Sequence, residues 1–283
     1  MSVLEVLTEN YSSFTRQGKK LADYIFAHAA DAQYLSISTL AEKSGVSEAT
    51  VTRFCRQLGL SGYNDFKLAL AKADRRTDLG DPSDSPETIT SEDSLESMFQ
   101  KLHRLNVKSL SETLELLSAP SISLAVSILS GAERVYCFGS GGSMVMAMEA
   151  WARFSTASPN FVHIADSHMQ VMAAALCTQK DVILFFSYSG STKDMEDVLD
   201  IAKKRGAKII VVTHFVKSKA AEFADVVLVC GYNESPLQSG SIAAKVGQMF
   251  IIECLFYGFC QRNAAVSSDN RTATVDAITR KLL

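Results

Sequence analysis

The stretch Ser187-Tyr188-Ser189-Gly190-Ser191-Thr192 sets four hydroxyls around one glycine, directly after the apolar run Val182 to Phe186. Neutral hydroxyl donors and free backbone amides suit an anion, and phosphate is the commonest anion held this way. Gly190 lets the backbone approach closely. Capping a helix needs one such hydroxyl; four around a glycine favour a ligand. The elements that must position them can be read on either side. A run apolar at every position reads as a strand buried on both faces, as in a parallel sheet. A helical pattern follows at once, with Val198, Leu199, Ile201 and Ala202 on one face. A strand running into a helix N-terminus gathers unpaired N–H groups and a positive dipole end at one point.

A second joint has the same grammar. Arg134 to Gly139, RVYCFG, ends in Ser140-Gly141-Gly142-Ser143, and Met144 to Phe154 reads as a helix. Two such joints converge at the carboxyl ends of neighbouring strands, where open α/β sheets bind ligands. GSGGSM lacks the third spaced glycine of a dinucleotide fingerprint, and no lysine follows as a P-loop needs. Hydroxyls and amides without a fixed Lys or Arg suit a compact monophosphate better than a nucleotide.

The pair GSGGS and SYSGST, with the spacing between them, resembles the sugar isomerase (SIS) domain, which binds phosphosugars, over roughly residues 119 to 265. The resemblance implies that Ser143, Ser187, Ser189 and Thr192 hold the phosphate. Gly190 and Ser191 then supply backbone, with Gly141 and Gly142 in the first loop. Position 191 is often Glu in that family and is Ser here.

Near the start of the chain the chemistry changes. In Ser36 to Leu58 the apolar positions Ile37, Leu40, Ala41, Val46, Val51, Phe54 and Leu58 are interrupted at Ser44-Gly45. Small Ala41 lets two helices approach, Gly45 takes a tight turn, and Ser47 caps a second helix with Glu48 in its first turn. This is the spacing of a helix-turn-helix, whose second helix lies in the DNA major groove. Ser47, Glu48, Ala49, Thr52, Arg53 and Arg56 lie off its apolar face and are the candidate DNA contacts. Gln57 competes as plain solvated surface. Together with LSGYNDFK, which opens another helix at Asn64, the segment SEATVTRFCRQLG resembles the N-terminal domain of RpiR-type transcriptional regulators. That family joins such a domain to a SIS domain in the order seen here, so the resemblance spans nearly the whole chain.

The implied fold is an all-α helix-turn-helix domain (1–77), a linker (78–93) rich in Asp, Ser and Pro, and an α/β doubly wound parallel-sheet SIS domain with a long leading helix (94–283). A chain of 283 residues, 47% hydrophobic, suits two domains with real cores. The net charge of −3 hides a mild split: residues 1–77 carry a net of +2 and the remainder −5, which permits a nucleic-acid partner for the first part. The six cysteines form no C-x-x-C pair and read as buried free thiols. No signal peptide is readable at MSVLEVLTENY, so a soluble cytoplasmic protein without a membrane is expected. Helix 239–259 is apolar on more than one side, which suggests a homodimer or homotetramer.

An enzyme reading needs a base at C1/C2 of a sugar. His168, His214 and Glu234 are the candidates. Binding a sugar needs such polar groups as much as catalysis does, and His168 and Glu234 are carried as phosphosugar contacts. His28, His103 and His163 show no metal-ligand spacing. No cofactor, metal or catalytic residue is therefore assigned. The expected protein is not an enzyme but a regulator of sugar-metabolism genes, with double-stranded operator DNA and a phosphosugar effector as its partners. The alternative is a phosphosugar aldose–ketose isomerase with an accessory helical domain, which would have no use for Arg53 and Arg56 on a groove-sized helix.

Overall fold

The computed structural model describes residues 2–77, 89–232 and 242–281. They fall into two compact units, one within residues 1–104 and one from Leu105 onward, so the division lies inside a single helix.

The first unit holds α1 (Val3–Asn10), α2 (Arg16–Ala27), α3 (Ala29–Ala32), α4 (Ile37–Ser44), α5 (Glu48–Gln57) and α6 (Tyr63–Thr77). Their apolar faces meet in a core of Leu7, Leu21, Ile25, Leu40, Val51, Phe54, Phe66 and Leu70, each at most 2% exposed. Three rings form its centre: Phe14 and Phe54 lie 4.8 Å apart, and Phe54 meets Phe66 edge-on at 6.5 Å. The sequence pattern runs the second helix to Ala30; it breaks at His28, whose φ of −137° is not helical.

Helix α7 (Leu95–Leu116) crosses the division. Its start is anchored by Asp93, which accepts from Lys101 Nζ, Ser97 Oγ and the backbone N–H of Thr90. Then come α8 (Ala119–Ser130), β1 (Arg134–Gly139), α9 (Met144–Ser155), β2 (Phe161–His163), α10 (Ser167–Ala175), β3 (Asp181–Phe186), α11 (Lys193–Lys204), β4 (Lys208–Thr213), α12 (Lys219–Phe223), β5 (Val226–Val229), α13 (Ile242–Arg262) and α14 (Ala264–Thr279). The five strands are all parallel, in the order β2-β1-β3-β4-β5. Alternation along β3 divides its side chains between two cores. Val182, Leu184 and Phe186 meet α8, α9 and α13 on one face, while Ile183 and Phe185 meet α10 and α11 on the other.

The doubly wound expectation holds. Helices α12 and α14 escape the pattern-based reading: α12 is five residues long, and α14 buries only Ser267 and so shows no apolar stripe. Helix α13 is long and apolar enough to cross a membrane by composition, yet half of it is packed into the core. Two glycines let neighbours approach there: Gly247 lies against Thr113 and Ser109, and Gly258 against Val126; Ser109 Oγ donates to Ala243 O at 2.6 Å.

Candidate functional site

Strand order sets the place. β1 and β3 are adjacent, but the helices after them leave to opposite faces, which makes this pair the topological switch point where doubly wound sheets bind ligands. The register pairs Gly139 with Phe186, so the two strands end side by side. Beyond Gly139, residues Gly141–Ser143 make one 3-10 turn, with Gly141 at φ 55°. The turn folds back tightly: a Cβ on Gly139 would stand 2.8 Å from Ser143 O and 3.1 Å from Phe186 O. Only glycine fits there, and this brings the Ser143 backbone beside the end of β3.

The second loop is organised by its own hydroxyls. Ser187, 5% exposed, accepts from the Gly190 N–H at 3.1 Å, and Ser191 Oγ donates to Ser189 O at 3.1 Å. Gly190 sits at φ 59° and its carbonyl accepts from Ala220 N at 2.9 Å. Strand β4 stitches the loop from below: Ser187 N donates to Val212 O, and Thr213 Oγ1 donates to Tyr188 O at 3.0 Å.

Among the described residues seven helices, α1, α2, α4, α5, α7, α8 and α10, close their N-termini with a side chain that accepts from a first-turn N–H. At α9 and α11 the N-cap residues Ser143 and Thr192 carry hydroxyls, yet neither makes that bond. Both hydroxyls are therefore left over at the point where β1 and β3 finish, beside the uncapped first turn of α11; at α9 the preceding 3-10 turn already takes the Ser143 and Met144 N–H groups. Ser189 and Ser143 are half-buried, and Gly141, Gly142, Ser191 and Thr192 are exposed. Asp194 and Glu196 in the first turn of α11 oppose an anion there, and the exposed Lys193 offsets part of that charge. Two further hydroxyls lie here that the sequence reading did not assign to the site: Ser140 Oγ in the first loop and Ser218 Oγ against Gly190 are buried with no hydrogen-bond partner among the described residues. Ser140 was visible as a hydroxyl in the GSGGS loop; nothing in the sequence linked Ser218 to it. Buried Gln170 also escapes that reading, and it steadies the end of β1 by donating to Gly139 O at 3.3 Å and Ile164 O at 2.7 Å.

His168 is exposed in the first turn of α10, which follows β2 at the same carboxyl edge of the sheet. His214 is tied down instead: its Nδ1 pairs with Cys230 O at 2.9 Å and its ring stacks on Tyr188, with centroids 5.2 Å apart. Glu234 lies outside the described residues. Among the described residues no His, Cys, Asp and Glu gather as a metal site.

In the first unit the helix-turn-helix geometry is complete. Gly45 ends α4 in the left-handed conformation at φ 66°, and Val46 N donates back to Ala41 O. Ser47 Oγ accepts from Thr50 N at 3.2 Å and opens α5. Val51, Phe54 and Cys55 turn inward, which leaves Ser47, Glu48, Ala49, Arg53 and Arg56 exposed and Thr52 half-buried. Ten residues at 1.5 Å each make α5 about 15 Å long, a fit for a major groove. Thr52 Oγ1 donates to Glu48 O and Arg53 Nε reaches Ala49 O at 3.4 Å, so both lie along the helix.

Comparison with known proteins places these two arrangements together. Residues 1–77 match the helix-turn-helix domain of the rpiR family, and residues 128–257 match the SIS domain. A protein of Haemophilus influenzae named an uncharacterized HTH-type transcriptional regulator is 32% identical over 278 residues, 98% of this chain and 96% of its own. The structure of the Vibrio vulnificus NanR protein complexed with ManNAc-6P is 28% identical, covers 98% of both chains and has a TM-score of 0.87. The sugar isomerase domain of an RpiR transcription factor from Sphaerobacter thermophilus is 20% identical with a TM-score of 0.55 over 65% of this chain and 98% of that one, a likeness of fold.

Proposed function

Because the chain belongs to the rpiR family of helix-turn-helix transcriptional regulators that carry a SIS domain, we propose that it controls sugar-metabolism genes through a phosphosugar that sets its affinity for operator DNA. One observation carries the reading: two hydroxyl-bearing, uncapped helix N-termini at a β1/β3 switch point. In this reading Ser143, Ser187, Ser189 and Thr192 donate to the phosphate. Gly141, Gly142, Gly190 and Ser191 line it with backbone, and His168 and Glu234 meet the sugar. Arg53, Arg56, Thr52 and the Ser47-Glu48-Ala49 start of α5 face the DNA.

The NanR complex holds ManNAc-6P, which makes a phosphorylated amino sugar the first ligand to try. Residues 1–77 serve as the DNA reader, 78–93 as linker and 94–283 as the effector part. The protein works in the cytoplasm as a homodimer or homotetramer, and turns over nothing. His214, one candidate base, is committed to Cys230 and Tyr188, which supports binding over isomerisation.

The test is a thermal-shift panel of hexose and amino-sugar 6-phosphates on the full chain. A ligand at 100 times its Kd adds about 2.7 kcal/mol to the native state. A bound panel member must also change operator affinity, and operator must change its affinity by the same factor. No shift with any member, or no mutual influence, overturns the reading; turnover of the bound sugar phosphate establishes the isomerase instead.

A further inference from the structure

We propose that Tyr188 and Glu112 form a tie through residue 232, by which occupancy of the phosphate loop is transmitted to α7; the proposal rests on the phosphosugar reading above. Tyr188 stands between Ser187 and Ser189, inside the loop that reading assigns to phosphate. Its frame is fixed on three sides. The carbonyl accepts from His214 N and from Thr213 Oγ1, both at 3.0 Å, and the ring lies nearly parallel to His214, 8° between planes. Its hydroxyl then leaves the loop and donates to Tyr232 O at 2.8 Å.

Tyr232 is the other half of the device. Among the described residues it is the one non-glycine with a positive φ, 74°. L side chains crowd the backbone there, so a tyrosine stays only where its neighbours hold it. Both of its backbone groups are held. The carbonyl is held by the loop through Tyr188, and the N–H donates to Glu112 Oε2 on α7 at 2.7 Å. The preceding N–H, of Gly231, donates to Thr113 Oγ1 at 2.9 Å, and a Cβ at 231 would overlap Glu112.

In the proposed device residue 232 stays left-handed, as it is here, while both ends are gripped, and relaxes to ordinary backbone when either lets go. Coupling between sites requires such a two-state element biased by both of them. A ligand that shifts the 187–192 loop alters the grip of Tyr188, and the change reaches Glu112 through one residue. Helix α7 is the first helix after residues 78–88, so along the chain it precedes everything else in the effector part.

The experiment uses full-length protein with the same panel of sugar 6-phosphates, ManNAc-6P included. Affinity is read by calorimetry and amide exchange is read at Ser109–Leu116. Bound ligand is expected to change exchange in this part of α7. Tyr188→Phe and Glu112→Ala should keep ligand affinity within about threefold of wild type and lose that change. Glu112→Gln keeps an acceptor for the Tyr232 N–H and should retain it. Transmission undiminished in both Tyr188→Phe and Glu112→Ala, with ligand bound, overturns the tie while leaving the phosphosugar reading intact. A wild-type protein that binds no member of the panel overturns that reading, and the tie falls with it.

Discussion

Gly190 lies against Ser218 so closely that a Cβ at position 190 would overlap both Oγ and Cβ of the serine. Its φ of 59° independently disfavours any other residue. Gly190→Ala should therefore cost about 1–3 kcal/mol through backbone strain and overpacking and abolish phosphosugar binding. Ser218→Gly added to it should recover only part, because it relieves the overlap and leaves the φ cost. Urea unfolding of the single and double variants checks both statements; a neutral Gly190→Ala contradicts them.

Loss of single hydroxyls should act on affinity, not on the fold. Among the described residues neither the Ser189 nor the Thr192 side chain makes a hydrogen bond that a truncation would break, and Thr192 leaves the α11 N-terminus uncapped. A hydrogen bond to a charged phosphate contributes about 1.5–3 kcal/mol. Ser189→Ala and Thr192→Val should each weaken binding of the panel's tightest ligand by that amount, with apo-protein DNA affinity unchanged. Calorimetry and fluorescence anisotropy read the two quantities separately.

On the DNA side, Arg53→Ala and Arg56→Ala should each weaken operator binding, by about 1–3 kcal/mol where the lost partner is a bidentate base contact. A phosphate contact would instead reduce the salt dependence of binding across all sequences. If both variants bind the operator like wild type, α5 is not the reading helix.

Thiol chemistry gives a pH prediction. Burial pushes Cys55 up to about 12 and Cys177 up to about 11. Both should resist iodoacetamide at pH 8 in native protein and react on unfolding, which mass spectrometry reads. The sign for stability follows from linkage. The unfolded thiols titrate near pH 9 while the folded ones keep their protons, so above that pH the native state binds more protons and stability falls toward pH 11–12.

Assembly is testable directly. Ile242, Met249 and Tyr257 remain exposed on α13 after its other face is packed. Static light scattering at micromolar concentration should return at least twice the chain mass; a monomer counts against the proposed homo-oligomer.

Much of this was legible in the sequence because it was periodic or punctuated. The all-apolar run Val182–Phe186 announced a strand with two cores, and Gly45 followed by Ser47 announced the turn between α4 and α5. Ser143 and Thr192 could be named as loop hydroxyls, but not that both would forgo capping, since that depends on three-dimensional aim. The Tyr188–Tyr232–Glu112 connection joins positions 44 and 120 residues apart by hydroxyl, carbonyl and amide groups. No pattern of residue types encodes such a link. Ser218 was invisible for the same reason: its meaning comes from what packs beside it.

The two helices whose N-termini meet at the β1/β3 edge belong to different layers, α9 packing on one face of the sheet and α11 on the other. An anion gripped by both would be a cross-brace, resisting shear of one layer over the other. Its stiffening would spread through both cores at once, so that protection of amides would rise on helices that never touch the ligand.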